Sequence, residues 1–181
     1  MRLRVLTQPG WTNSGAEHWQ SHWERARPEW QRVAQRDWEH PERDEWVATL
    51  VAAIAASPRR VVVLGHSIGV ITIAHAAQRA GARIAGAFLV APADVEAPGV
   101  AHEVRSFAPI PRGALPFRSM LVASRDDAWC TYPRAQELAK DWGSTLVDAG
   151  HAGHLHSAAG YGPWPAGLAQ FEAFLAALAE P

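Results

Sequence analysis

Short apolar runs of strand length alternate along this chain with segments whose apolar positions recur every three or four residues. Residues 3–6, Val33 and its neighbours, and residues 61–64, 87–91, 120–123 and 145–147 read as six strands. Most of these runs are continuously apolar, as expected of parallel strands covered on both faces. Between them, Trp46, Val47, Leu50, Val51 and Ile54 share one helical face, and Ser57-Pro58 ends that helix. Ile68–Ala80 is alanine-rich and stops at Gly81, a natural C-cap. Ala135, Leu138, Ala139 and Trp142 repeat the pattern and stop at Gly143, and Leu168, Phe171, Phe174, Leu175 and Leu178 form a last amphipathic helix. This alternation predicts βαβ units in an α/β fold: a three-layer α/β/α sandwich around a mainly parallel sheet of about six strands.

One stretch breaks the rhythm. Residues 92–117 carry Pro92, Pro98, Pro109, Pro111 and Pro116, too many for a regular element. A long loop inside a compact domain is more often functional than idle, so this one reads as a short cap over a site. No repeat or linker divides the chain, and a single domain is expected over 1–181. Its 181 residues, 48% hydrophobic, suffice for a sizeable core without disulfides or metals. Charged residues make up 19%, which argues against disorder. A net charge of -1 provides no general attraction to nucleic acid or to an anionic membrane. Residues 46–56, the longest helical apolar run, are too short to span a bilayer, and residues 1–6 lack the apolar core of a signal peptide. Cys130 is the only cysteine, so no internal disulfide can form and a cytoplasmic setting is expected.

The chemistry enters at Gly65-His66-Ser67-Ile68-Gly69. An apolar strand runs into Gly-x-Ser-x-Gly and then into a helix, which is the context of a nucleophile elbow in an α/β-hydrolase fold. The turn lifts the Ser67 hydroxyl off the sheet at a helix N-terminus, where the Ile68 N–H and the helix dipole face a developing oxyanion. Serine needs a histidine base, and the base needs an orienting carboxylate; in this fold they follow in the order serine, acid, histidine. Asp126 and Asp127 both stand directly after the strand at 120–123. Asp127 is favoured, the other being suited to cap the next helix. Asp94, after the preceding strand, is a third candidate. The glycine-rich loop after the last strand carries His151, His154 and His156, of which His154, following Gly153, is chosen as the base.

With these residues in place, the whole chain resembles the small serine hydrolases related to retinoblastoma-binding protein 9, bacterial type. The matching blocks are Pro9-Gly10-Trp11 with Asn13-Ser14-Gly15, His18-Trp19-Gln20, the serine motif, Val90 to Glu96, Leu115-Pro116-Phe117, Ala123 to Asp127, Ala152-Gly153-His154, and Gly160 to Pro165. The resemblance implies a compact α/β-hydrolase domain with a triad of Ser67, Asp127 and His154. It departs at Ala128, where the family usually has proline after the acid. It also points to the loop after the first strand for a second oxyanion donor, the N–H of Trp11 or Thr12, each such donor being worth about 3 kcal/mol at the transition state. The partner that named the family is not carried over, because no Leu-x-Cys-x-Glu motif surrounds Cys130.

Nine tryptophans are many for this length. Core packing is their default, but Trp11 and Trp38 follow strand ends and Trp129 follows the acid, so Trp38 and Trp129 are taken as pocket walls. His18 and His22 have metal spacing without the glutamate of a His-Glu-x-x-His site, and Cys130 lacks a nucleophile's context. The expectation is therefore a hydrolase of small ester-type acyl substrates that works without cofactor or metal. A binding protein with little turnover, an amidase and an acyltransferase are the alternatives, and no protein partner is assigned.

Overall fold

The six apolar runs become six strands: β1 (Arg4–Gln8), β2 (Gln31–Arg32), β3 (Val61–Ser67), β4 (Ile84–Pro92), β5 (Arg118–Ala123) and β6 (Thr145–Asp148). They form one all-parallel sheet in the order β2-β1-β3-β4-β5-β6 in this computed structural model, which describes residues 3–179. Met1, Arg2, Glu180 and Pro181, the ends of the domain expected over 1–181, lie outside the described residues. Among the described residues five helices connect or flank the strands: α1 (Trp19–Ala26), α2 (Arg43–Ala55), α3 (Ile68–Ala80), α4 (Tyr132–Trp142) and α5 (Pro165–Ala179). Among the described residues no helix is long and apolar enough to cross a membrane.

Strand periodicity explains the two cores. Val61 and Val63 of β3 face a core shared with α2, α3 and α4, while Val62 and Leu64 face a second core shared with α1 and α5. Leu89 and Phe88 of β4 divide the same way. Every residue of β3 is buried, which is why its run shows no polar alternation.

Several boundaries differ from the sequence expectation. The second strand is Gln31–Arg32 rather than centred on Val33, although the Val33 N–H still donates to the Thr7 carbonyl at 2.8 Å. Backbone pairing at this sheet edge does not need an apolar side chain. β3 continues past its apolar run to Ser67, because parallel pairing with β4 carries through Gly65 and His66. Gly81 does not end α3 in a left-handed cap; with φ -55° it leads into the 3-10 turn Gly81–Arg83. A side chain there would meet the Pro116 ring at 2.4 Å. Gly143, by contrast, is a left-handed cap with φ 66°.

Of the proline-rich segment, Pro92 closes β4 and the rest is irregular except for the 3-10 helix His102–Phe107. It is tied down by Val95, Val104, Phe107 and Ile110, all buried in the first core. β1 and β3 lie side by side while the chain departs from them in opposite directions across the sheet. In such sheets the crevice at the carboxyl ends of the strands is where ligands bind.

Candidate active site

Ser67 occupies that crevice. It closes β3 and precedes the first residue of α3 with φ 59° and ψ -128°, a strained conformation for a residue with a side chain. The elbow is possible because its flanks are glycines. A Cβ on Gly69 would lie 2.3 Å from the Gln8 carbonyl oxygen, and one on Gly65 would lie 2.5 Å from Ile73 Cδ1. The helix can thus start directly against the end of β1. The Ile68 N–H, in the first turn of α3, has no intrahelical acceptor to reach.

The loop after β1 packs onto the same serine. A Cβ on Gly10 would come 2.7 Å from Ser67 Cβ and 3.3 Å from Ser67 Oγ, so the bare backbone of Gly10 lies against the nucleophile candidate. Thr12 and Asn13 follow with φ of 63° and 66°. The Thr12 N–H is committed to the Trp38 carbonyl at 3.0 Å, which separates the two donor candidates of this loop and leaves the Trp11 N–H. Arg32 braces the loop from β2: it donates to Asn13 Oδ1 at 3.0 Å, to the Ser14 carbonyl at 2.9 Å and to Ser21 Oγ at 2.7 Å, while pairing with Glu24.

The two aspartates after β5 point to different tasks. Asp127 turns inward, its side chain almost wholly buried, and both its oxygens lie 2.9 Å from His154 Nδ1. Its Oδ1 also accepts the Trp129 N–H at 2.8 Å. Asp126 turns outward and accepts from Ser124 Oγ at 2.7 Å and from the Gly153 N–H at 2.8 Å, bonds that hold its carboxyl below the usual carboxylate range. It therefore fastens the histidine loop rather than the histidine. Asp94 lies in an ion pair with Arg134 and caps the Glu96 N–H.

The loop that carries His154 is held by its backbone. The Gly150 carbonyl accepts the Arg125 N–H at 2.7 Å, the Ala152 N–H donates to Ser124 Oγ at 2.9 Å, and the Leu155 carbonyl accepts Trp19 Nε1–H at 2.8 Å. His66, between the motif's first glycine and the serine, donates from Nε2 to the His154 carbonyl at 2.9 Å. Complete burial, with His154 and His18 beside it, depresses the His66 pKa well below the ordinary imidazole range, so it serves as a neutral strut. His151 is exposed, and His156 Nδ1 accepts the Ala159 N–H at 3.1 Å as a turn cap.

Ser67 and His154 line one cleft of about 440 Å³, together with Trp11, Ile68, Trp129, Val104 of the proline-rich segment, and His18, His66 and His156. Serine and histidine share the cleft without a hydrogen bond between them; in ligand-free hydrolases this contact often tightens only when substrate is present. Trp11 and Trp129 meet edge to face at 6.2 Å, and Trp129 is 40% exposed at the mouth. Trp38, expected as a pocket wall, does not line the cleft. Its ring packs against Trp46 at 5.3 Å and its carbonyl steadies Thr12, because the chain after β2 runs beside α2 instead of across the opening. His18 and His22 do not converge: His18 caps α1, while His22 accepts from Arg25 at 2.9 Å. Burial pushes the Cys130 thiol up to about 12, with the Asp94 and Asp127 carboxylates adding to the shift.

A strained serine at the strand-to-helix turn of this parallel sheet is the architecture of the α/β-hydrolases. The sequence profile of the serine hydrolase family matches residues 5–173, and the chain belongs to that family. No curated protein matches it. A YdeN-like hydrolase from Pectobacterium atrosepticum is similar at 37% identity and a TM-score of 0.89, over 98% of this chain and 92% of that one. The ydeN gene product of B. subtilis aligns at 17% identity and a TM-score of 0.79, over 96% and 99% of the two chains. An esterase from Rhodococcus aligns at 12% identity and a TM-score of 0.68, over 98% and 91%. The last two likenesses speak for the fold alone.

Proposed function

We propose that this hydrolase cleaves small ester-type acyl substrates through an acyl-enzyme on Ser67. The observation that carries the reading is the bond from His154 Nδ1 to the buried Asp127 carboxylate, in a cleft that also holds Ser67. A carboxylate only accepts hydrogen bonds, so it keeps the proton of a neutral ring on Nδ1 and leaves Nε2 as the base. Ser67 Oγ attacks the carbonyl carbon while its proton passes to His154 Nε2. The Ile68 and Trp11 N–H groups hold the resulting oxyanion. Collapse breaks the ester bond, and the departing alkoxide takes the proton from His154. Water, deprotonated by the same ring, then attacks the acyl-enzyme. The acid leaves and Ser67 recovers its proton.

The cleft's modest volume and the short segment at 92–117, which reaches it through Val104, support small substrates over long-chain lipids. The motif blocks favour the branch of the family related to retinoblastoma-binding protein 9. A cytoplasmic setting accords with the single unpaired thiol of Cys130. A fluorophosphonate probe should label the protein, and the label should vanish in Ser67→Ala. p-Nitrophenyl acetate and butyrate should be turned over faster than the palmitate. An unlabelled wild type, or a preference for palmitate, refutes the reading.

A further inference from the structure

His18 has one ring nitrogen in use and one idle. Nδ1 accepts the Gln20 N–H at 3.2 Å as the cap of α1, so a neutral ring carries its proton on Nε2. That Nε2–H is buried and has no hydrogen-bond partner among the described residues. The ring cannot easily swing away, because it lies between Trp19 at 5.2 Å and His66 at 4.8 Å. The residue is 6% exposed, and what it touches is the cleft that holds Ser67. A buried donor left unpaired costs about 1–3 kcal/mol, so a bound molecule that supplies an acceptor relieves that cost on entry. The His66 ring stands 4.8 Å from both His18 and His154, which puts the idle donor two ring contacts from the proposed base.

The charge of the cleft narrows the ligand. Among the described residues no Asp, Glu, Lys or Arg lines it. Burial, then the charge of Arg32, pushes the His18 pKa down to about 3, so this ring is neutral near pH 7. A charged substrate group would find no counter-charge in that lining, since Arg32 acts on the His18 ring from outside it, whereas an uncharged oxygen finds a donor.

We infer that His18 is a substrate-binding group whose Nε2–H donates to an uncharged ether, hydroxyl or carbonyl oxygen of the substrate, within a few bonds of the scissile carbonyl. This rests on Ser67 being the nucleophile and specifies the substrate class of that site: short oxygen-bearing esters over plain alkyl ones.

Matched esters that exchange one CH2 for oxygen test it. The pairs are p-nitrophenyl methoxyacetate with butyrate, p-nitrophenyl 3-methoxypropionate with valerate, and 2-methoxyethyl acetate with butyl acetate. Each kcat/KM is divided by the ester's hydroxide-catalysed rate, to remove intrinsic reactivity. One neutral hydrogen bond predicts a roughly three- to tenfold preference for the oxygen-bearing member of at least one pair. His18→Asn keeps a side-chain oxygen for the Gln20 N–H and removes the Nε2 donor, so the ratio should fall to about one. His18→Phe, which also lacks the donor, should give the same ratio from a different shape. Normal turnover with no preference in any pair overturns the inference alone, as does a preference that survives both variants. Absence of ester turnover together with absence of fluorophosphonate labelling overturns the function and this inference with it.

Discussion

Replacing Asp127 with asparagine keeps the size of the side chain and changes one face of it from acceptor to donor. In the native site both carboxylate oxygens lie 2.9 Å from His154 Nδ1, and Oδ1 is also fixed by the Trp129 N–H at 2.8 Å. An asparagine would keep its oxygen on the Trp129 N–H, and its new NH2 would take the place of Oδ2, 2.9 Å from Nδ1. Two donors then meet, unless the ring proton moves to Nε2. That tautomer cannot take the proton of Ser67. In a Ser-His-Asp triad the wrong tautomer lowers kcat by about 10⁴-fold, or about 5.5 kcal/mol of transition-state stabilisation. Asp126→Asn is the paired control. Only its Oδ1 is used, accepting from Ser124 and Gly153, and an amide oxygen can accept both bonds. Its kcat should stay within about threefold of wild type, because no group that touches substrate is altered. Steady-state hydrolysis of p-nitrophenyl acetate, with the rate of fluorophosphonate labelling as a second readout, measures both. A larger loss in Asp126→Asn than in Asp127→Asn, or a loss below about tenfold in both, refutes the assignment of the acid.

Gly10→Ala should lower kcat by about 100-fold, since its Cβ would fall 2.7 Å from Ser67 Cβ and 3.0 Å from the His66 carbonyl and push the Trp11 N–H from the oxyanion position; kcat within threefold of wild type would show that this loop supplies no donor. Arg32→Met should cost about 2–3 kcal/mol in urea unfolding by stranding Glu24, and should lower kcat more than it raises KM by loosening the loop at Asn13 and Ser14. An unchanged kcat would separate that brace from the chemistry. His18 and His66 are depressed bases, so below their ordinary pKa near 6.5 the unfolded chain binds protons that the folded one does not. Their contribution is whole above pH 6.5 and is lost as the pH falls toward about 3 for His18, at up to about 1.4 kcal/mol per pH unit for each ring. His18→Asn should therefore lose less stability between pH 7 and pH 5 than wild type does, and an equal loss in urea titrations would disprove the linkage.

How far the site could be read in advance follows from where each contact lies along the chain. The strand-to-helix turn at Ser67 is legible because it is a local object: apolar strand, glycine, serine, glycine and helix all fall within a few residues. The strands and helices were legible for the same reason, and their boundaries slipped where backbone pairing outran the apolar run, as at Gln31–Arg32 and beyond Leu64. Asp126 and Asp127 are neighbours with the same side chain, and only the path of the turn sends one toward His154 and the other toward the Gly153 N–H. A one-dimensional pattern has no term for that direction.

The supports of the site were hidden for a stronger reason. His66 reaches a carbonyl 88 residues away and Trp19 one 136 residues away, and both acceptors are backbone oxygens with no side-chain signature. Trp19 reads as an ordinary core residue because it is one: its ring packs on Trp23 at 4.6 Å while its N–H secures the loop that presents His154. Trp38 misled for the converse reason, since a tryptophan after a strand end looks like a pocket wall, yet here it serves through its carbonyl. The histidine loop is thus positioned mostly by backbone groups, whose anchors lie on β3, α1 and the turn after β5. Substitutions at Trp19 or His66 should accordingly disturb catalysis and folding together, whereas His18, which lines the cleft and has one ring nitrogen without a partner among the described residues, should separate the two.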